Sequence, residues 1–380
     1  MGFNYAEFSE KINNADRARG ILGRICEYAS KIRADRVNIM EVCGTHTHEI
    51  FKSGIKGMLP EKIKLKSGPG CPVCVTPVKY IDAAIMLSKQ KNNIIATFGD
   101  MLRVAGTGSS LEAERSIGAD VRVVYSPQEA AAIAVENKAK NVIFLSVGFE
   151  TTVPASAFLV KSAFEKGISN LFILEGNKTV PEALSAIVSH PGVKVDGFIL
   201  PGHVSVVSGS NVFSAPLEKH MKCGVVCGFE YMDILMCVAM IIEMIVNKEF
   251  GVKNEYIRAV TPGGNAAAKK LIEEVFTPCD CEWRGLGTIS GSGLKLREKY
   301  ISFSAGERFA EIIGGQSSIE ASKKNICRCA EVLLSLAEPP DCPSFSSACD
   351  PLNPLGPCMV SAEGSCSAYY KYGRTGDIKL

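Results

Sequence analysis

Apolar positions from about Val37 to about Met240 fall into short, near-continuous runs separated by longer stretches with helical spacing. Val37–Val42, Ile94–Phe98, Val121–Tyr125, Val142–Val147, Leu171–Leu174, Gly197–Leu200 and Gly224–Cys227 are rich in Val and Ile. That pattern predicts parallel strands buried on both faces. Pro127–Lys138 and Pro154–Lys166 read as helices, with proline at or near the first turn, where its missing N–H is not needed. Strands alternating with helices predict α/β lobes with parallel sheets. Boundaries are expected near 118, after the Gly-rich Gly106–Gly118, and near 230, which divides the chain into 1–118, 119–230 and 231–380. The final part changes character: from Cys327 onward six cysteines share the segment with six prolines, and no strand run survives. Such a segment buries little aliphatic surface and needs something other than a hydrophobic core to fix it.

Composition narrows the function. Basic and acidic residues number 42 and 40, a net charge of +2, and no basic run stands out, so nothing predicts a nucleic-acid partner. The opening stretch Met1–Gly20 is charged and lacks the apolar region of a signal peptide. The most apolar stretch, Tyr231–Val246, contains Asp233 and Glu243 and falls short of the about 20 residues that span a bilayer, so it reads as a buried helix. No membrane contact is expected, and the expected location is cytoplasmic. In that reducing setting fifteen cysteines point to metal or redox work rather than a disulfide framework. Cys26, Cys223, Cys227 and Cys237 sit in apolar runs and read as small core residues. Cys279 and Cys281 form a close pair with no assigned role.

The strands end in unusual polar loops: Cys43-Gly44-Thr45-His46-Thr47-His48, Gly148-Phe149-Glu150-Thr151-Thr152, Pro201-Gly202-His203 and Gly228-Phe229-Glu230. Ligands of open α/β sheets bind beyond the carboxyl ends of the strands, so Cys43, His46, His48, Glu150 and His203 are expected to line a common cleft. A single histidine after a strand is as often a hydrogen-bonded structural residue as a ligand, and His203 carries both readings.

Cys71-Pro72-Val73-Cys74 precedes a helix expected to start near Thr76. At a helix N-terminus the dipole and free amides lower the first thiol's pKa, which favours a dithiol/disulfide pair. A zinc half-site, completed by Cys43 and His46, is the competing reading. The C-terminal cysteines Cys327, Cys329, Cys342, Cys349, Cys358 and Cys366 contain no Cys-x-x-Cys knuckle. Four of them holding an iron–sulfur cluster is favoured over zinc, and spacing does not say which four.

With MEVCGTHTH at 40–48, SGPGCPVCVTP at 67–77, FGDMLRV at 98–104, SVGFETT at 146–152, LPGHVS at 200–205, WRGLGTI at 283–289 and PCMVSAEGSCSAYYKYG at 357–373, the chain resembles the HypD family of hydrogenase maturation proteins from about residue 30 to about 375. The resemblance implies two Rossmann-like α/β lobes around a cleft, with a third, partly irregular iron–sulfur region. It implies a role in making the Fe(CN)2CO part of the [NiFe]-hydrogenase active site, with redox chemistry on a scaffold. Iron would be held between Cys43 and a cysteine of a small partner, HypC, and cyanide would come from HypE working with HypF. A [4Fe-4S] cluster would fall on Cys329, Cys342, Cys349 and Cys366, leaving Cys327 and Cys358 spare. Ala330 departs from the glycine that commonly follows the first ligand, and a small backbone adjustment is expected there. Glu150 and His203 match family motifs as cleft residues, and His46 is expected to deprotonate Cys43 or to hydrogen-bond a bound cyanide. A general thiol–disulfide oxidoreductase and a purely structural iron carrier are the rival functions.

Overall fold

The computed structural model describes residues 15–314 and 327–373; the first residues of the Met1–Gly20 stretch lie outside them. The chain opens with helix α1 (Ala15–Lys31), strand β1 (Val37–Glu41), helix α2 (Gly44–Lys52), β2 (Ile63–Ser67) and α3 (Val78–Ser88). It continues through β3 (Asn93–Thr97), β4 (Val121–Val123), α4 (Pro127–Glu136), β5 (Asn141–Gly148), α5 (Val153–Glu165), β6 (Leu171–Asn177) and α6 (Val180–Ser189). Then come β7 (Gly197–Pro201), α7 (Gly202–Ser208), β8 (Cys223–Cys227), α8 (Tyr231–Asn247), β9 (Gly251–Asn254) and α9 (Ala266–Val275). A hairpin of β10 (Phe276–Trp283) and β11 (Gly287–Leu296) precedes the cysteine-rich region, whose helices include α10 (Cys329–Leu333) and α11 (Ser365–Tyr372).

Two parallel sheets form, as the alternating pattern predicts. One has the order β2-β1-β7-β8-β9 and the other β4-β3-β5-β6. The sheets do not follow the sequential divisions at 118 and 230. β3 pairs with β4 and β5 across the first, while β1 pairs with β7 over an interval that contains the whole second sheet. Strand pairing is decided by which buried faces fit, so the chain leaves the first sheet, builds the second and returns. The part from 231 onward also holds β9 and the antiparallel hairpin, which the apolar runs do not reveal.

The first sheet is covered by α8, whose Ile234, Leu235, Val238 and Ile241 are fully buried and share a cluster with Ile21 and Ile25 of α1. The apolar stretch at Tyr231 is thus a core helix, and among the described residues no helix is long and apolar enough to cross a membrane. Cys223, Cys227 and Cys237 are core residues as expected, whereas Cys26 is exposed on α1. The cysteine-rich region docks onto the first lobe through an ion pair and an aromatic contact: Lys66 pairs with Glu338 at 2.6 Å, and Phe51 meets Tyr369 edge-on at 5.4 Å.

Beyond the carboxyl ends of β1 and β2 the two cysteine loops touch. Gly44 N–H donates to the Gly70 carbonyl at 2.9 Å and Gly68 N–H to the Glu41 carbonyl at 2.8 Å. A Cβ on Gly70 would stand 2.3 Å from the Cys43 nitrogen, and all its close neighbours are backbone that cannot swing aside. Gly70→Ala should therefore cost about 1–3 kcal/mol, read as a lower urea midpoint; an unchanged midpoint would mean that the loops do not need this approach.

Candidate functional site

The sheet order of the first lobe reverses between β1 and β7, the place where open α/β sheets bind ligands. Cys43 follows β1 and His203 follows β7, so both stand at that reversal. The Cys43–His48 segment is helix rather than loop: Cys43 is the N-cap residue of α2, in extended conformation. Its partly buried thiol is pushed up to about 12, chiefly by burial, while the backbone N–H groups of His46 and Thr45 act in the opposite direction. The helix N-terminus that was expected at Cys71 therefore belongs to Cys43.

His46 is fully buried and its Nε2 donates to the Gly228 carbonyl at 2.8 Å, leaving Nδ1 without a hydrogen-bond partner. Its ring stacks on Phe229 at 4.8 Å, and Phe229 stacks in turn on His203 at 3.8 Å. The two imidazoles thus sandwich a phenyl ring, with His203 on the exposed side. Partial burial and the nearby His46 hold His203 below the usual histidine range. His48 does not join them. Two positions along a helix point to different faces, and His48 meets Tyr372 edge-on at 5.2 Å instead.

Glu41 anchors the arrangement, and no pattern in the chain marked it as functional. It is 1% exposed, accepts the Cys43 N–H at 3.0 Å and a hydrogen bond from the Thr47 hydroxyl, and burial raises it to about 7. The available signal was a lone carboxylate near the end of a mostly apolar strand run. Glu363 is a second such residue: it accepts from the Thr45 hydroxyl at 3.1 Å, tying the cysteine-rich region to α2.

Cys71 and Cys74 occupy a turn, because α3 begins only at Val78. Cys74 N–H donates to the Cys71 sulfur at 3.2 Å. Both are closed off, at 2% and 0% exposure, and burial lifts the Cys74 thiol well above the ordinary range. Arg284 clamps the turn through its backbone N–H to Val75 and its Nε to Thr76, each at 2.8 Å. Cys74 lies against Cys358, and Cys358 lies 2.8 Å from Cys329, sulfur to sulfur.

Cys327, Cys329, Cys342, Cys349, Cys358 and Cys366 line one small cavity of about 10 Å³, with Val332, Phe345 and Met359. Among the described residues no ready-made cage of three metal-binding side chains stands in place, but six soft sulfurs on apolar walls suit iron–sulfur ligation. Within the cavity Cys327, Cys342 and Cys349 weigh electrostatically on Cys366, and Cys327 and Cys342 on Cys349. Cys329 instead contacts Cys327 and Cys358. Ala330 rests against Gly285, whose φ of +86° and missing side chain make room for it.

Glu150 lies apart from Cys43. It lines a second cavity at the carboxyl end of the other sheet, 5% exposed, with Oε1 accepting the Val180 N–H at 3.0 Å. Cys279 and Cys281 lie on β10, where the Cys281 sulfur accepts from the buried Lys178 ammonium at 2.8 Å.

A family model described as "Hydrogenase formation hypA family", HypD, matches residues 16–373. The chain is 43% identical over 368 residues to a putative hydrogenase expression/formation protein of Methanocaldococcus jannaschii, covering 96% of this chain and 99% of that one. It is 39% identical over 375 residues to the hydrogenase maturation factor HypD of Azotobacter vinelandii, covering 97% of each. The hydrogenase maturation factor HypD of Cupriavidus necator is 38% identical over 365 residues, covering 93% of this chain and 95% of that one.

Burial raises Glu150 from 4.5 to about 8. A carboxyl raised on folding binds its proton more tightly in the native state, so its contribution to stability is full below pH about 4.5 and is lost as pH rises through about 8. Glu150→Gln should flatten the fall in stability across that window, by up to about 1.4 kcal/mol per pH unit. Urea melts at a series of pH values measure it, and parallel curves for the two proteins would refute the buried-carboxyl account.

Proposed function

The chain belongs to the HypD family of hydrogenase maturation proteins, and from that premise we propose that it assembles the Fe(CN)2CO fragment of [NiFe]-hydrogenase on Cys43, drawing electrons from the Cys71–Cys74 dithiol. One observation carries this reading: sulfur contacts run from Cys71 through Cys74, Cys358 and Cys329 into the six-cysteine cavity, while Cys43 is docked by its backbone beside Cys71. The iron is cargo, held between Cys43 and a thiol of HypC, with cyanide delivered by HypE and HypF.

Cys43 binds iron as thiolate, so metal binding displaces a proton that burial otherwise retains. The Thr45 and His46 amides at the start of α2 stabilise the resulting charge. With Nε2 donating to Gly228, the unprotonated His46 ring carries its lone pair at Nδ1, a base on the same helix whose basicity Cys227 and the Gly228 carbonyl raise against burial. Phe229 and His203 hold that ring in place from the other face.

The cavity suits a [4Fe-4S] cluster held by Cys327, Cys342, Cys349 and Cys366, the four sulfurs not engaged in the Cys329–Cys358 contact. This set puts Cys327 in the place of the Cys329 that the family resemblance implies. When bound, such a cluster supplies electrons singly. The remaining steps belong to thiols. Cys358 thiolate attacks the Cys74 sulfur of a Cys71–Cys74 disulfide and releases Cys71 thiolate. Cys329 then attacks Cys358 and releases Cys74 thiolate. Two electrons pass to Cys71 and Cys74, and a Cys329–Cys358 disulfide is left. A general thiol–disulfide oxidoreductase needs an accessible attacking thiol, which the closure of Cys71 and Cys74 does not offer.

The test is the chain purified with HypC under anaerobic conditions. Wild type should show cyanide and carbonyl stretching bands in the infrared. Cys43→Ser should lose them while keeping iron–sulfur absorbance, and Cys358→Ser should keep that absorbance but fail to reduce the dithiol. Undiminished bands in Cys43→Ser would remove the iron site from this residue.

A further inference from the structure

The cavity that contains Glu150 takes no part in the chemistry above. It holds about 280 Å³, near the lower end of about 300 Å³ for small-molecule pockets. The order of the second sheet reverses beside β5, and Glu150 follows β5 while Thr179 and Glu182 lie at the start of α6. The walls are apolar, from Val153, Val207, Val212, Ile272 and Leu294.

Three polar atoms on this lining are buried without a hydrogen-bond partner: Glu150 Oε2, Glu182 Oε2 and Thr179 Oγ1. All three can accept. An unpaired buried group costs about 1–3 kcal/mol, so three around one space call for a ligand rich in donors. Lys269, at the same cavity, reaches none of the three with a hydrogen bond; its ammonium donates to the Gly263 carbonyl at 3.3 Å. The Glu182 charge adds to burial in holding the Glu150 carboxyl up, so a cation between them relieves both. A bare divalent ion of the calcium type asks for about six to eight oxygens and has no use for aliphatic walls. A guanidinium offers five N–H donors in a planar fork that fits carboxylates, and an aliphatic stem suits the walls.

We propose that this pocket binds a guanidinium group on an aliphatic stem, held by Glu150 and Glu182 with Thr179 completing the set of acceptors. The group has two possible sources, a free alkylguanidine or an arginine side chain on an extended segment of a partner protein. The site stands independently of the iron chemistry at Cys43.

Isothermal titration of the full chain with n-butylguanidine, and separately with acetyl-Gly-Arg-Gly-amide, tests the proposal. Saturable binding is expected, weakened by at least about tenfold in Glu150→Gln and in Glu182→Gln, with thermal melts confirming that both fold. The neutral isostere n-butylurea should bind far more weakly. Binding of the small guanidine alone assigns a free ligand, binding of the peptide alone assigns a protein partner, and either supports the site. Should Glu150→Gln fail to fold, Glu182→Gln at the less buried first turn of α6 still decides. No heat from either probe at about 10 mM, wild-type affinity in Glu182→Gln, or equal binding of the urea would each overturn it.

Discussion

Everything that this protein does with sulfur depends on a place where two backbones touch. The loops after β1 and β2 approach so closely that Gly70 has no room for a side chain against Cys43. Neighbouring parallel strands bring their carboxyl ends together at a separation of about 4.8 Å, so whatever follows them is held side by side by the sheet itself. One strand delivers a sulfur at a helix N-terminus and the next a pair of sulfurs in a turn. Neither loop has to be ordered by a ligand, because Glu41 and Glu363 hold the first and Arg284 clamps the second.

Closure is the second theme. Cys71, Cys74, Cys329 and Cys358 are all nearly inaccessible; burial raises Cys74, and contacts with neighbouring thiols followed by burial raise Cys329 and Cys358. Thiols in such a setting neither oxidise at random nor scavenge stray metal, since the reactive form is the thiolate. Their contact with one another is what the proposed exchange relies on. The same dryness protects the proposed relay from competing partners.

Much of this was legible along the chain. The seven strand runs are found where Val and Ile cluster, since buried parallel strands tolerate little else, and Tyr231–Asn247 is the buried helix that its two carboxylates had argued for. β2 escaped notice because Lys64 and Lys66 alternate with apolar residues in a strand only half covered. Cys43–His48 resembled a loop because Gly-Thr is a poor helix opening; the helix holds because Glu41 and Glu363 fix its first turn. The cleft of five polar residues proved to be three places, with His48 turned towards Tyr372 and Glu150 on the other sheet. Strand-end position identifies which residues are polar and available. It cannot say which sheet a strand joins, because that choice is made by faces distant in sequence.

That choice has a consequence for how the molecule is made. β1 and β2 emerge from the ribosome before the other strands, but the second neighbour of β1 is β7, and the clamp over α2 comes from Glu363, 318 residues after Thr45. Until those segments appear, β1 presents an open, apolar edge of the kind that invites wrong partners. Pairings that span most of a sequence close slowly, after local structure has formed. The second sheet, contiguous in sequence, can fold while the first still waits. Cys43 thus acquires its surroundings only once Glu363 has been made, so a chain stalled before that point carries the thiols without the setting that encloses them.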